Sequence, residues 1–214
     1  MPPADLADPV LTARGRATRE RIVTAAAELV HERGVAGTSL DDVRAATATS
    51  KSQLYHYFAD KAALVRAVIE RQVECVLQAQ QPELDAVDSM AALRLWGDRV
   101  VALNAPAVRG CPLGRLATEL ADSDPAARTA LSTGFASWQA RLKTGLATMR
   151  ERGELTPEAD PEELALGLLA AVQGGLLLAQ AASSVTPLRA ALDLALDGVV
   201  PQLVTGPDLT PAPS

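Results

Sequence analysis

Ser50-Lys51-Ser52-Gln53-Leu54-Tyr55-His56-Tyr57-Phe58-Ala59-Asp60-Lys61 is the stretch whose reading decides the fold. It holds both tyrosines, one of two histidines and one of two phenylalanines, in a chain that is only 3% aromatic. Leu54 and Phe58 stand at i and i+4 and share one helical face, and Ser50 is a residue type that caps a helix start. Tyr55, His56 and Tyr57 follow within one turn, so they point in different directions and cannot all be core. The result is a short helix with an apolar anchor on one side. Its other side offers ammonium, amide, imidazole and phenol groups to a polyanion.

Working outward, Thr38-Ser39 offers an N-cap to a second short helix, Leu40 to about Ala46, with Asp41 and Asp42 complementing its dipole. Upstream, Ile22, Ala25, Ala26, Leu29 and Val30 recur at helical spacing in a pattern that begins at Thr18. Gly34 is the expected stop, in the left-handed conformation. Downstream, Asp60 caps a fourth helix whose stripe of Leu64, Val65, Val68, Ile69, Val76 and Ala79 runs to about Gln80. Helix, glycine, short helix, tight connector, short helix is a helix-turn-helix arrangement. An ordinary helical corner is the plain alternative, and the chemistry of residues 38–61 argues against it. Hydroxyls sit at one helix start, where free N–H groups attract phosphate. Lys51 and Gln53 sit early on the helix that would enter a major groove.

Thr38-Ser39-Leu40-Asp41-Asp42-Val43, followed by Ser50 to Phe58 and then Asp60-Lys61, resembles the N-terminal DNA-binding domain of the TetR family of bacterial repressors. The match covers about residues 17–65. The resemblance implies that Thr38, Tyr55 and Lys61 hold the phosphate backbone. It places Lys51, Gln53 and His56 at the groove, and Leu40, Val43, Leu54 and Phe58 in a small core. Ser39, Arg44 and Ser50 join the candidate DNA-binding set, and Tyr57 stands evenly between core and phosphate contact. Glutamine suits adenine, and lysine suits guanine or phosphate. One position departs from the family pattern: Ala48 stands where glycine is usual in the turn. A positive φ there would cost about 1 kcal/mol, so a slightly different turn is expected.

The rest of the chain reads as helices too. Alanine and leucine dominate, which favours helix, and no strand signal or internal repeat occurs. Helices are expected from Met90 to about Ala105, from Pro112, from Pro125 to about Arg152 before Gly153, from Pro161 to about Ala182, and from Pro187 to near Val204. The fold expected is all-α. A disordered arm (1–13) precedes a helix-turn-helix domain (14–60), then a larger helical ligand-binding and dimerisation domain (61–204) and a disordered tail (205–214).

The net charge of −6 hides an asymmetry. Residues 11–58 carry seven basic and five acidic side chains, +2, which leaves −8 elsewhere; a locally positive end on an acidic body can still dock on phosphate. The apolar run Leu164 to Ala182 is near the lower limit for a membrane span but carries no flanking Lys/Arg cluster. It is read as a buried helix, with no membrane partner.

In the larger domain the resemblance implies a small-molecule effector and a homodimer on a double-stranded operator. The 164–182 helix is apolar nearly all round and needs cover on both faces. With the last helix it can form a dimer interface, where Gly167, Gly174 and Gly175 permit close approach. Trp96, Cys111, Phe135 and Trp138 are the candidate ligand-binding residues, and the scarcity of charge among them points to an uncharged, largely apolar effector. Cys111 stands before Pro112 at a helix start, near Arg109 and Arg115. It reads first as a small buried residue filling a turn; on the other reading the helix dipole and those arginines lower its thiol pKa, and the alternative function is an electrophile- or oxidant-sensing regulator. Cys75 reads as core.

Other functions fit poorly. His31 and His56 are the only histidines, and no Ser/His/Asp, metal or phosphate-loop pattern occurs, so neither enzyme activity nor a metal or cofactor is expected. A helical protein-interaction module without DNA binding is the remaining rival. Two cysteines cannot make a disulfide framework, which favours a reduced, cytoplasmic setting.

Overall fold

The computed structural model describes residues 11–203, and within them the regular elements are all helices. The helices are α1 (Ala13–Arg33), α2 (Leu40–Thr47), α3 (Lys51–Tyr57), α4 (Lys61–Ala79), α5 (Met90–Asn104), α6 (Pro112–Leu120), α7 (Pro125–Glu151), α8 (Pro161–Ala182) and α9 (Thr186–Asp197), with a 3-10 turn at Val200–Gln202. The expected tail and most of the expected arm lie outside the described residues. The arm's last residues do not: α1 starts five residues before Thr18, because the Thr12 side chain accepts a hydrogen bond from the Gly15 N–H and caps it. Gly34 does end α1, at φ 76° and ψ 169°. That is a glycine conformation, but not the left-handed helical one expected.

The chain divides into two compact units, residues 1–72 and 73–214, with the division inside α4. The first unit thus extends twelve residues beyond the expected boundary at Asp60. The physical reason is that Leu64, Ala67 and Val68 of α4 complete a core otherwise built by Ile22, Val23, Ala26, Ala27, Val43, Leu54 and Phe58. Leu54 and Phe58 are 1% and 2% exposed, so the i, i+4 anchor seats α3 as its spacing predicts. Truncating either removes about 3 kcal/mol or more.

The second unit has a larger core that includes Trp96, Trp138, Leu142, Leu146, Met149, Leu168 and Leu192. Here α8 packs between α7 and α9. Gly175 permits the α8–α9 approach: a Cβ there would stand 2.9 Å from the Leu188 Cα. This glycine therefore serves packing inside the subunit, whereas Gly167 and Gly174 face open space. The last helix stops at Asp197, earlier than expected. The chain then turns so that the Thr156 N–H donates to the Gln202 carbonyl at 2.7 Å, beside a single bridge between Leu155 and Leu203.

By length and composition α8 is apolar enough to cross a membrane, with mean hydropathy 1.8. It is instead a core helix of this unit on one face only. Leu166, Leu177 and Leu178 on α8, and Leu194 on α9, remain between 53% and 77% exposed. Ion pairs among exposed residues, such as Lys143–Glu162 and Arg94–Asp197, tie α7 to α8 and α5 to α9 and contribute little each.

Candidate functional site

The first unit presents two short helices whose starts are built alike. Ser39 caps α2: its hydroxyl accepts from the Asp42 N–H at 3.1 Å, and the Asp42 carboxylate accepts from the Ser39 N–H at 2.8 Å. Ser50 caps α3 in the same reciprocal way, accepting from the Gln53 N–H at 3.2 Å while Gln53 Oε1 accepts from the Ser50 N–H at 3.0 Å. Both are capping boxes. The charge differs. Asp41 and Asp42 lie in the first turn of α2, and no acid lies in that of α3. Hydrogen bonds from the Ser39 hydroxyl and backbone N–H hold the Asp42 carboxyl below the usual range, with Arg33 and Lys61 adding to the effect.

On α3, Ser50, Lys51, Ser52, Gln53, Tyr55 and His56 are all exposed, opposite the buried Leu54. Tyr55 is 46% exposed, and the Lys51 ammonium stands 5.9 Å from its ring centroid, a cation–π arrangement one turn apart. His56 meets the Tyr57 ring edge-on at 4.9 Å. The Tyr57 ring is half-buried against the core, with its hydroxyl near Gly15. Lys61 is half-buried in the first turn of α4, and the Asp60 carboxylate caps that turn by accepting from the Ala63 N–H at 2.7 Å.

Several expected contacts find other partners. Thr38 is 4% exposed, and its hydroxyl donates to the Gly34 carbonyl at 2.8 Å; it fixes the loop and has no hydroxyl left for a phosphate. Ser39 is exposed, yet its hydroxyl is engaged with Asp42. Arg44 pairs with Asp41 at 3.1 Å. Gln53 keeps its amide donor, but its oxygen belongs to the cap, whereas bidentate adenine recognition uses both. Ala48 does adopt the left-handed conformation, at φ 52° and ψ 32°, contrary to the expected altered turn. The turn is enforced by Thr47 and Thr49, both buried, whose hydroxyls lie 2.7 Å apart while Thr47 also donates to the Val43 carbonyl.

The second unit contains a cavity of about 210 Å³, lined by Val76, Ala79 and Gln80 of α4, Val100, Leu103 and Asn104 of α5, the Gly110–Pro112 turn, Trp138 and Leu176. A wider groove of about 850 Å³ shares Gly110, Cys111 and Leu176 with it and adds Gln173, Gly174 and Leu177. Of the expected ligand residues, Cys111 and Trp138 line the cavity. Trp96 does not: it is fully buried, and its indole N–H donates to Gln80 Oε1 at 2.8 Å. Phe135 packs against the core without lining either space. Burial pushes the Cys111 thiol pKa up, against the opposing pull of hydrogen bonds from Gly114, Gln173 and Leu113. The lowering by the helix dipole and neighbouring arginines that the thiol-sensing alternative requires is therefore reversed. Cys75, expected in the core, is exposed on α4.

Residues 22–68 match the family described as bacterial regulatory proteins, tetR family, and residues 90–195 match the tetracyclin repressor-like C-terminal domain. An uncharacterized HTH-type transcriptional regulator of Lactococcus lactis is 31% identical over 84% of this chain and 91% of its own length. The chain belongs to the TetR family.

Solved structures agree with this TetR-family assignment. A TetR regulator of Chloroflexus aurantiacus superposes with a TM-score of 0.77 at 30% identity, covering 90% of this chain and 98% of that one. SmeT in complex with triclosan superposes at 0.70 with 26% identity, covering 92% and 99%; SmeT is the repressor of a Stenotrophomonas maltophilia multidrug efflux pump. This chain is accordingly a helix-turn-helix transcriptional regulator, and the reading as an interaction module without DNA binding falls away. Sequence reasoning missed Gln80 and Asn104 on the cavity wall. The only available signal was an amide at the end of each apolar helical stripe.

Proposed function

We propose that this TetR-family protein is a cytoplasmic, homodimeric repressor that leaves a roughly palindromic operator when a small, uncharged molecule enters the cavity of the second unit. The observation that carries the DNA half of this reading is α3. Its first turn is free of acids, and the helix exposes Lys51, Ser52, Gln53, Tyr55 and His56, while Leu54 and Phe58 hold it to the core. Such a helix offers a positive end and polar groups to a major groove. Lys51 and His56 are assigned to the groove, with the Gln53 amide as a donor, and Tyr55 and Lys61 to phosphate.

The effector half is supported by helix α4, whose early residues belong to the reading unit's core and whose last turn lines the cavity. A molecule that favours one position of Val76–Gln80 over another biases the position of α4. One that fits both equally changes nothing. SmeT, a repressor with a solved triclosan complex, has the same fold. The exposed leucines of α8 and α9 are the face on which the second copy docks, since an apolar patch of that kind marks an interface. Thiol sensing is the weaker reading, because burial disfavours the Cys111 thiolate.

A mobility-shift titration against DNA flanking the protein's own gene tests the proposal. Specific binding that weakens steeply with salt is expected. A folded protein that binds this DNA no better than random sequence would sink it.

A further inference from the structure

We propose that the first turn of α1 is a second DNA contact of the reading unit, with Arg14 and Arg16 holding backbone phosphates beside the end of α3. This rests on α3 being the helix that meets DNA, and it adds the contact that flanks that helix.

Four of the first nine residues of α1 are arginines (Arg14, Arg16, Arg19 and Arg21), and its first turn has no acid. A helix start is the positive end of the dipole and favours carboxylates; α2 and α8 each carry two acids there. Guanidinium groups at the start of α1 therefore work against the helix that bears them. Little in the unit offsets them. The single acid of this stretch, Glu20, pairs with Arg71 of α4 at 3.5 Å. Arg14 and Arg21 are exposed and have no ion-pair partner among the described residues, and the exposed Arg16 donates to the Leu11 carbonyl at 2.6 Å.

Packing puts these charges next to the reading helix. A Cβ at Gly15 would stand 3.6 Å from the Tyr57 hydroxyl, and the Arg19 guanidinium lies 5.4 Å from the centroid of the Phe58 ring. Gly15 and Arg19 are one turn apart, so the α1 face that meets the end of α3 runs through them. Arg14 and Arg16 flank Gly15, about 100° to either side of it, and border the end of α3 without being covered by it. The polar face of α3, with Lys51, Gln53, Tyr55 and His56 exposed, thus continues as a cationic surface on α1. Arginine suits phosphate through paired N–H donors, and phosphate contacts position a protein without reading sequence. The nearest rival anion is the chain's own start, since residues 1–10 hold Asp5 and Asp8 and no lysine or arginine.

The test is the paired variant Arg14→Gln/Arg16→Gln, measured by fluorescence anisotropy on a labelled random-sequence duplex and on DNA flanking the protein's own gene. Glutamine nearly matches arginine in helix propensity, so the fold should hold. The urea midpoint should equal or exceed that of wild type, because two cations at the wrong end of a helix are gone. The slope of log affinity against log salt should shrink by about 1.8, roughly 0.9 for each phosphate, and at about 0.1 M salt both duplexes should bind roughly sixtyfold more weakly. An unchanged slope would overturn the proposal. So would an equal loss in Arg109→Gln/Arg128→Gln, which removes the same charge from the second unit. A lowered urea midpoint would mark an internal partner such as Asp5 or Asp8 and would also count against it. A loss confined to the own-gene DNA would assign the arginines to bases and sink the phosphate contact. Where wild type shows no preference for own-gene DNA, the operator reading fails, while a reduced slope on the random duplex still supports the contact from α1.

Discussion

Helices α2 and α3 begin with the same device and put it to different uses. Each has a serine cap and a reciprocal bond from the third helical residue, but α2 closes its box with Asp42 and α3 with Gln53. A carboxylate is the better partner for a helix dipole, and α2, which carries two acids in its first turn, is the more strongly stabilised start. It is also the worse place for a phosphate. The neutral amide of Gln53 satisfies the same backbone N–H and leaves the positive end of α3 uncompensated beside Lys51. A capping box can therefore serve stability or polyanion approach, and the charge of its third residue decides which.

The sharpest way to break this contrast is to give α3 the charge of α2. Gln53→Glu keeps the reciprocal cap, so the fold should hold, but it places an anion on the face assigned to DNA. Specific affinity should fall by about 2 kcal/mol, roughly thirtyfold, in a mobility shift at fixed salt. Unchanged affinity would show that the start of α3 does not meet DNA. A smaller loss is expected for Lys51→Ala, which removes the only cation in the first turn of α3. Affinity should drop by about tenfold, and the slope of log affinity against log salt should shrink by about 0.9.

Between the two helices lies Ala48, and its substitution tests whether the turn is strained. A left-handed alanine costs roughly 1–2 kcal/mol, and glycine at the same place gives back roughly 0.5–1 kcal/mol in unfolded-chain entropy. Ala48→Gly should therefore raise stability by only about 0.5 kcal/mol, measurable as a small upward shift of the urea midpoint. A decrease would mean that the Thr47–Thr49 pair already relieves the strain.

The sequence made α3 legible because its anchor, cap and polar face are local. Leu54 and Phe58 show their spacing, and Ser50 and Gln53 their box, without reference to any other helix. What it could not show are partners brought from elsewhere. Thr38 looks like a phosphate grip until the Gly34 carbonyl takes its hydroxyl. Trp96 and Trp138 read as equivalent until Gln80, sixteen residues before Trp96, satisfies one indole and not the other. Cys111 stands at a helix start beside two arginines in the sequence, yet burial in the fold outweighs any activation those positions offer. The exposed side of α8 is the reverse case: its composition demanded cover on every face, and one subunit supplies only half.

The smallest effect expected concerns the α2 box itself, and acid reveals it. The Asp42 carboxyl is held below the usual range in the folded protein, so the folded state favours its ionised form more than the unfolded chain does. Its contribution is therefore complete above the ordinary carboxylate pKa of about 4 and is lost as pH falls through the lower folded value. Asp42→Asn, which still caps but cannot ionise, should differ most from wild type at neutral pH and converge with it in acid. The two tyrosines both lie on α3, so fluorine NMR of protein labelled with 3-fluorotyrosine reports melting of the first unit alone. In Gln53→Glu the same measurement should show a new acid-sensitive contribution from α3, absent in wild type. A variant that gains the acid dependence while losing DNA affinity would show that one charge separates the stabilising helix start from the reading one.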